Sequence, residues 1–532
     1  MKFLLLLYIY IYLQMNSHIQ GNKRIVVNTI MLYIRMFIIM IISFFTTREV
    51  LRLLGVEDYG IYNVVGGITV FLAFINNATT LATQRFFNYE FGNGNSGSIK
   101  KVYSASINIH LFIALTICIL GETVGLWFLN NYINLPPDKY MTANIVYQLS
   151  LMGTMTGIVR SPFNAMIIAQ ERMSFFAYIS IAEAVMKLSV VYSLLLFLNN
   201  RLEIYALFNC LSIALITLSY YLYCRIKFNE CRYKYVKDRK LYKMMISFSG
   251  WSLLGSMAII GVNQGINIII NIFCGVLVNA AVGVAGQVNA AVYNFVANFQ
   301  TAFNPKIVKL YAAGCIKEFK EFILKTSKYS FLLLWVISLP VILCCRELLT
   351  IWLVDVPEHT LNFCLLTIIF SLIDAIQGPL WVSVQAYGKI KNYQVVMSLI
   401  MIANLPLAYI CLSTFKLPPE YVFVVRIFIN IVTSVIRLVY LKRFFGFEIS
   451  QYVKKACTPC LATVIASLPV PLLVYFGTTG LFQLFATMVT SFIISVAAVY
   501  IFGLAKSERN YIASVVVNKV ALICANKMKG GL

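Results

Sequence analysis

Long runs of apolar side chains, separated by short polar segments, recur from one end of this chain to the other. Each run has about 20 residues or more, which as an α-helix crosses a hydrocarbon layer of roughly 30 Å. No stretch shows the alternation of apolar and polar positions that is typical of membrane β-strands. The pattern therefore predicts an all-α, polytopic membrane protein with about 14 transmembrane helices. The predicted spans cover residues 25–45, 60–81, 103–128, 141–168, 174–198, 203–223, 245–271, 280–303, 328–345, 359–386, 393–412, 420–440, 457–475 and 481–503. The tenth contains Pro379, where we expect that the helix can break.

Composition supports the membrane interpretation, since 60% of the 532 residues are hydrophobic and only 12% are charged. The net charge of +23 raises the question of a nucleic-acid partner, which the position of the charges answers. Of the 43 lysines and arginines, 31 lie on one side of the predicted arrangement and 6 on the other. This asymmetry follows the positive-inside rule, so it predicts membrane topology, with both termini in the cytoplasm, and no nucleic-acid partner.

The first 24 residues are predicted to form a cytoplasmic tail. Their start, "MKFLLLLYIYIYLQM", resembles a secretory signal but lacks a small-x-small cleavage site. Met15 precedes a polar segment that suits the beginning of a cytoplasmic tail, so it is a second candidate for the start of translation.

The sequence predicts no cofactor and no metal site. Its 13 cysteines lie mostly within apolar spans, which suits small buried side chains better than a disulfide framework. The three histidines are far apart in sequence, and no stretch resembles a nucleotide-binding glycine loop.

Two pairs of similar segments indicate an internal duplication. "RSPFNAMIIAQERMSFFAY" and "QGPLWVSVQAYGKIKNYQV" are 217 residues apart, and "LLGVEDYGIYNVVGG" and "IFCGVLVNAAVGVAG" are 220 residues apart. The chain then divides into a six-helix bundle (25–223), a basic cytoplasmic linker (224–244), a second six-helix bundle (245–440), a linker with helices 13 and 14 (441–503) and a cytoplasmic tail (504–532). Because six is even, both bundles enter the membrane from the same side, as in transporters that rock two bundles around a central site.

The segments "REVLRLLGVEDYGIYNVVGG", "ATQRFFNYEFGNG" and "SPFNAMIIAQERMSFFAY" resemble the bacterial polysaccharide exporters that include the Wzx-type O-antigen flippases. That family belongs to the multidrug/oligosaccharidyl-lipid/polysaccharide exporter (MOP) superfamily. The resemblance extends from Asn22 to the twelfth span, and the two extra spans resemble members with fourteen helices. It implies an inner-membrane transporter, not an enzyme, that flips undecaprenyl-diphosphate-linked oligosaccharide to the outer leaflet for O-antigen, lipopolysaccharide or capsule synthesis. It also implies as partners the bilayer, a glycan polymerase, glycosyltransferases and a coupling cation.

A flippase of this kind needs a wet, cationic cavity, and two arginines within predicted spans are candidates for binding the diphosphate. Arg35 lies inside the first span, where a charge that faces lipid costs about 2.5–3.5 kcal/mol. Arg160 lies two residues before Pro162, and its counterpart in the second half is Gln377, so we expect the positive charge to be confined to the first bundle. The alternatives are a structural salt bridge or hydrogen bond for Arg35 and snorkelling to the interface for Arg160.

Amide side chains in the seventh and eighth spans are candidates for binding sugar hydroxyls, although hydrogen bonds between helices would explain them too. The candidates are Asn263, Gln264, Asn267, Gln287, Asn289 and Asn298. Asp374 is a candidate site for a coupling ion or proton, with packing against Arg426 as the alternative. Glu183 and Lys187, four residues apart, are interpreted as a structural helix pair.

Two other functions remain to be compared. A multidrug extruder of the same superfamily would share the core of twelve helices, but cationic drugs favour acidic and aromatic linings. A glycan polymerase or polyprenyl-dependent glycosyltransferase needs catalytic loops on the outer face, where no predicted loop exceeds about fifteen residues.

Overall fold

The computed structural model describes residues 19–94, 96–132, 139–197, 199–353 and 356–510, and almost all of them are helical. The all-α polytopic fold class is therefore confirmed. The suggestion that translation starts at Met15 falls outside the described residues. The helices are α1 (Ile19–Asn93), α2 (Ser96–Leu120), α3 (Leu126–Tyr132), α4 (Tyr140–Ala169), α5 (Met173–Ser193), α6 (Arg201–Lys227), α7 (Arg239–Ala312), α8 (Ile316–Leu343), α9 (Cys345–Trp352), α10 (Thr360–Tyr387), α11 (Lys391–Ile402), α12 (Asn404–Ser413), α13 (Glu420–Phe445), α14 (Ile449–Tyr452), α15 (Thr458–Ser467), α16 (Pro469–Gly477) and α17 (Gly480–Ala498).

Eleven helical segments of the described chain are long and apolar enough to cross a membrane. The other three predicted spans are helical as well, and they correspond to residues 56–93, to α4 and to residues 276–312. Arg160 in α4 and the amide side chains of 276–312 lower the hydropathy of two of these segments. Two of the three less apolar segments thus carry candidate site residues, and others lie in the candidate spans Asn28–Gly55, Arg239–Gly275 and Thr360–Tyr387.

We call α1–α6 the first bundle, α7–α13 the second bundle and α14–α17 the appended helices. The basic face is the end of the bundles that carries the segment 228–238 between α6 and α7, and the charge bias predicts that it is cytoplasmic. Asp238 caps α7 there, because its carboxylate accepts hydrogen bonds from the backbone N–H groups of Lys240 and Leu241, both at 3.1 Å.

The two longest helices each contain one break, and the breaks have the same geometry. Gly55 in α1 has φ 80° and ψ 169°, and Gly275 in α7 has φ 82° and ψ −178°. These glycines are 220 residues apart, the spacing of one of the repeated sequence motifs. Both lie at the end of the bundles opposite the basic face, where α1 and α7 turn back into the membrane. Pro162 and Pro379 also lie at equivalent places, inside α4 and α10, and the break expected at Pro379 does not occur.

The appended helices pack against α8. The indole Nε1 of Trp335 donates to Ser467 Oγ at 2.9 Å, and Cys460 Sγ contacts the carbonyl oxygen of Lys328 at 3.8 Å. The other helices of the second bundle cover one side of α8, and the appended helices cover the other side. As a result, α8 is the most buried of the eleven candidate spans.

The hydrophobic core shows where the two bundles meet. Near the basic face, one cluster joins Leu32 of the first bundle to Phe299 and Phe303 of the second, and all three are at most 2% exposed. Toward the opposite face each bundle has a core of its own, one around Tyr147 and one around Phe363. The described state is therefore closed at the basic face.

Replacing Gly275 with alanine should destabilise the fold. The backbone there lies in a region that is accessible essentially to glycine alone, so a Cβ atom should cost about 1–3 kcal/mol. We expect Gly275→Ala to lower the midpoint of thermal unfolding in detergent. Gly261→Ala is the matched control, because Gly261 lies in the same helix with open space around it. Equal midpoints for the two variants would contradict this account of the break.

Candidate transport cavity

A polar cavity runs through the second bundle between α7, α10, α11 and α13. Two adjoining chambers, of about 530 Å³ and 390 Å³, share Asn263, Phe370 and Arg426. The larger chamber lies toward the opposite face and is lined by Asn267, Asn279, Gly283, Gly286, Asn289, Thr367 and Phe423. The smaller chamber continues toward the basic face and is lined by residues that include Tyr293, Asp374, Trp381, Gln385, Gln394, Asn430 and Arg437.

Arg426 lies where the two chambers meet. Its Nη2 atom donates to Asn263 Oδ1 at 2.9 Å. Its guanidinium carbon lies 4.9 Å from the ring centroid of Phe370 and 5.7 Å from that of Phe423, which are cation–π distances. It forms no salt bridge with a carboxylate of the described residues, although it interacts electrostatically with Asp374 across the smaller chamber.

Arg437, deeper in the same helix, is held by neutral side chains. Its Nε donates to the Tyr393 hydroxyl at 3.0 Å and its Nη1 donates to Gln377 Oε1 at 2.7 Å. Gln377 in turn donates to Asn430 Oδ1 at 2.6 Å. Arg437 is 6% exposed, and within the described chain it too forms no salt bridge. The network fixes a second positive charge at the wall of the smaller chamber.

The predicted amides fall into three groups. Asn263, Asn267 and Asn289 line the larger chamber, and Asn289 accepts a hydrogen bond of 2.6 Å from the Ser371 hydroxyl. Gln264 and Gln287 are exposed and do not line either chamber. Asn298 lies outside the cavity, at the contact between the bundles.

Asp374 lies in the smaller chamber and accepts a hydrogen bond from the Tyr293 hydroxyl at 2.7 Å. The alternative partner, Arg426, lines the same chamber but forms no salt bridge with it. Asp374 is the only carboxylate among the residues that line the two chambers, against two arginines.

Arg35 bridges the two bundles. Its Nη2 donates to Asn298 Oδ1 of the second bundle at 3.1 Å, and its Nη1 lies 3.5 Å from Ser180 Oγ of the first. The guanidinium carbon lies 4.6 Å from the centroid of the Phe176 ring, and within the described chain Nε has no hydrogen-bond partner. Both hydrogen-bond partners are neutral, and within the described chain Arg35 forms no salt bridge.

Arg160 differs from the other three arginines because it is paired with a carboxylate. Its Nη1 lies 3.1 Å from Glu183 Oε2, and Lys187 contacts the other oxygen of the same carboxylate at 3.3 Å. The helix pair inferred for Glu183 and Lys187 is present, but Glu183 is shared with Arg160. In this state Arg160 is part of a structural ion cluster of the first bundle.

The expectation that positive charge is confined to the first bundle is wrong, because Arg426 and Arg437 line the cavity of the second. The expectation rested on aligning Arg160 with Gln377, which ignored charges on another helix. The spacing of Arg426 and Arg437 could have revealed them, since eleven residues are close to three helical turns and place both on one face.

No family model matches this sequence, and no curated protein matches it. Solved structures of MATE transporters do share its fold. A MATE transporter in the straight conformation aligns with a TM-score of 0.68 and 14% identity, over 80% of this chain and 96% of that one. A multidrug resistance MATE transporter of the MOP superfamily, in an outward-facing conformation, gives 0.66 and 13% identity over 79% and 95%. The same values hold for a MOP superfamily transporter from Pyrococcus furiosus, described as having a binding pocket of reverse polarity that suggests a different function. The chain therefore has the fold of MOP superfamily transporters.

Proposed function

We propose that this protein flips undecaprenyl-diphosphate-linked oligosaccharide from the inner to the outer leaflet of the bacterial inner membrane, for O-antigen or capsule synthesis. The observation that carries the proposal is the cavity with two arginines, one carboxylate and an amide lining. The motifs that resemble polysaccharide exporters and the transporter fold support the same function.

The chemistry of the cavity suits both parts of the headgroup. A guanidinium can bind phosphate oxygens with two parallel hydrogen bonds, and it stays charged at physiological pH. Arg426, with one described hydrogen bond, has donors left for a diphosphate. The amides of Asn263, Asn267 and Asn289 both donate and accept hydrogen bonds, as sugar hydroxyls do.

A multidrug extruder is the second candidate, favoured by Asp374 and by the aromatic rings of Phe370 and Phe423 in the cavity. A cationic drug would use those rings and that carboxylate. Arg426 already lies near both rings, and the Tyr293 hydroxyl already binds Asp374. The arrangement therefore favours an anionic substrate over a cationic one.

Contacts near the basic face would form the inner gate of an alternating-access cycle. Arg85 of the first bundle donates to the carbonyl oxygens of Gln385 and Ala386 of the second, at 3.1 and 2.9 Å. Lys309 of the second bundle lies 2.6 Å from the carboxylate of Glu171 of the first. The Arg35–Asn298 hydrogen bond lies deeper in the membrane. Opening this face would break all three contacts together.

This placement supports a role for Arg35 that differs between the closed and the open state. While the gate is closed, Asn298 occupies one of its donors; when the bundles separate, that donor becomes available to a diphosphate on the basic side. Arg35 would then bind the headgroup first and Arg426 would bind it later in the cycle. Direction must come from a ligand or ion that binds the two states differently, and Asp374 is our candidate for such a coupling site.

Removing the Arg85 contacts should favour opening of the basic face. Hydrogen bonds to charged groups contribute about 1.5–3 kcal/mol each, so Arg85→Ala should raise the ratio of open to closed molecules more than about tenfold. Spin labels on the exposed positions 101 and 389, in a cysteine-free background, would report the distance between the bundles.

The expected result is a larger long-distance population in Arg85→Ala than in wild type. Arg225→Ala is the control, since Arg225 is exposed on the same face and contacts Tyr221 of its own helix. An unchanged distance distribution in Arg85→Ala would exclude Arg85 from the gate.

The cavity arginines should be required for export of the glycan. In a flippase-deficient bacterium that makes the cognate glycan, wild type should restore surface polysaccharide and Arg426→Ala and Arg35→Ala should not. Arg426→Lys should restore part of it, because lysine keeps the charge but loses the paired donors. Surface glycan is measured at matched membrane abundance, with Arg225→Ala as the control.

Full activity of Arg426→Ala would remove the observation on which the proposal depends. Failure of wild type to restore glycan, together with resistance to cationic drugs that depends on Asp374, would favour the multidrug extruder.

A further inference from the structure

A separate polar cavity of about 560 Å³ lies on the basic face, where α8 meets the appended helices. Its walls come from the first half of α8, from the π-helical turn Val453–Cys457 that follows α14, and from the chain after α17. Its charged lining residues are Glu321, Lys325, Lys328, Lys454, Lys455 and Glu508. It shares no lining residue with the transport cavity.

The two most buried of these charges neutralise each other. Lys328 Nζ lies 2.5 Å from Glu508 Oε2, and the two side chains are 6% and 5% exposed. Tyr329 donates its hydroxyl to the other carboxylate oxygen at 2.6 Å, and the backbone N–H of Ala505 donates to the first at 2.7 Å. This pair holds the chain that follows the last span against α8 and so forms one wall of the cavity. The other lining lysines, Lys325, Lys454 and Lys455, are not used in this pair.

The remaining charges leave the cavity positive. Lys325 is half-buried and Lys454 and Lys455 are exposed, and none of the three forms a salt bridge with a described carboxylate. Only Glu321, which is exposed, opposes them. Three lysines that converge on one concave site attract an anion, and phosphate is a common partner for such ammonium groups.

The position of the cavity indicates which anion it binds. The last candidate span ends at Gly503, which lines the cavity, so the site lies at the level of the membrane surface. Phe502, beside it, lines the site and is 50% exposed. α17, which leads into this segment, also has exposed apolar side chains, among them Val489 and Ile493. A ligand with a phosphate above and acyl chains below matches all three features, and basic pockets between helices at this level suit anionic lipid headgroups.

We propose that this cavity binds the phosphate headgroup of an anionic phospholipid, with its acyl chains along α17. Bound there, the lipid would bridge Lys325 of the second bundle to Lys454 and Lys455 of the appended helices. It would thereby fix the appended helices to α8 next to the buried Lys328–Glu508 pair. The proposal does not depend on which substrate crosses the membrane.

The test compares thermal unfolding of the full chain in nanodiscs of phosphatidylcholine with and without phosphatidylglycerol. Since a ligand that binds only the folded state stabilises it, phosphatidylglycerol should raise the midpoint of wild type by about 3 °C or more. The triple variant Lys325→Gln, Lys454→Gln, Lys455→Gln should lose that shift. The control triple Lys227→Gln, Lys240→Gln, Lys243→Gln removes the same charge from exposed positions of the basic face outside this cavity and should keep it.

An equal shift in the cavity triple and in wild type would overturn the proposal. Free glycerol phosphate that stabilises wild type in phosphatidylcholine as much as the lipid does would show a soluble anion site and overturn the lipid assignment. Native mass spectrometry of the double variant Lys454→Gln, Lys455→Gln provides a second readout, because both residues are exposed and their replacement leaves the buried Lys328–Glu508 pair intact. We expect fewer bound phosphatidylglycerol molecules than on wild type, and equal numbers would contradict the site.

Discussion

The structure depends on keeping arginines inside a membrane without direct salt bridges to carboxylates of the described residues. Arg35, Arg426 and Arg437 all lie within predicted spans, and each is held by neutral hydrogen-bond acceptors or aromatic rings. Neutral acceptors satisfy the hydrogen-bonding N–H groups of a guanidinium but do not neutralise its positive charge. In a medium of low dielectric constant, such a charge attracts an anion strongly. Arg160 shows the contrast, because Glu183 neutralises it and it then serves structure.

The two repeated bundles place these arginines at the contact between the bundles and in the cavity of the second bundle. Gly55 and Gly275 break α1 and α7 in the same way, so each bundle is built around a long helix that turns back at the same face. The bundles are not equivalent in chemistry: the second contains the arginine-lined cavity, and the first contributes Arg35 and Arg85 to the contact between them. In the proposed cycle, a headgroup would contact Arg35 when the basic face is open and Arg426 when that face is closed.

Hydropathy was sufficient to predict the helical membrane fold, because this signal is summed over about 20 residues and tolerates local exceptions. The repeated motif around Gly55 and Gly275 could also be recognised from the sequence. Positive φ strongly favours glycine, so both copies have glycine at this position. Side-chain partners were harder. Arg160 and Glu183 are on different helices, and Gln264 and Asn263 are neighbours of which only one faces the cavity. Such contacts depend on the rotation of each helix, which small differences in packing decide.

The most direct measurement is the flipping rate of a polyprenyl-diphosphate-linked oligosaccharide in liposomes that contain the purified protein. The account predicts that wild type moves the lipid-linked glycan between leaflets and that Arg426→Gln slows this movement at least about tenfold, the effect of losing roughly 1.4 kcal/mol of headgroup binding. Gln264→Ala, outside the cavity on the same helix as Asn263, should flip at the wild-type rate. Equal rates for Arg426→Gln and wild type, or no flipping by wild type, would contradict the claim that the arginine-lined cavity carries the diphosphate.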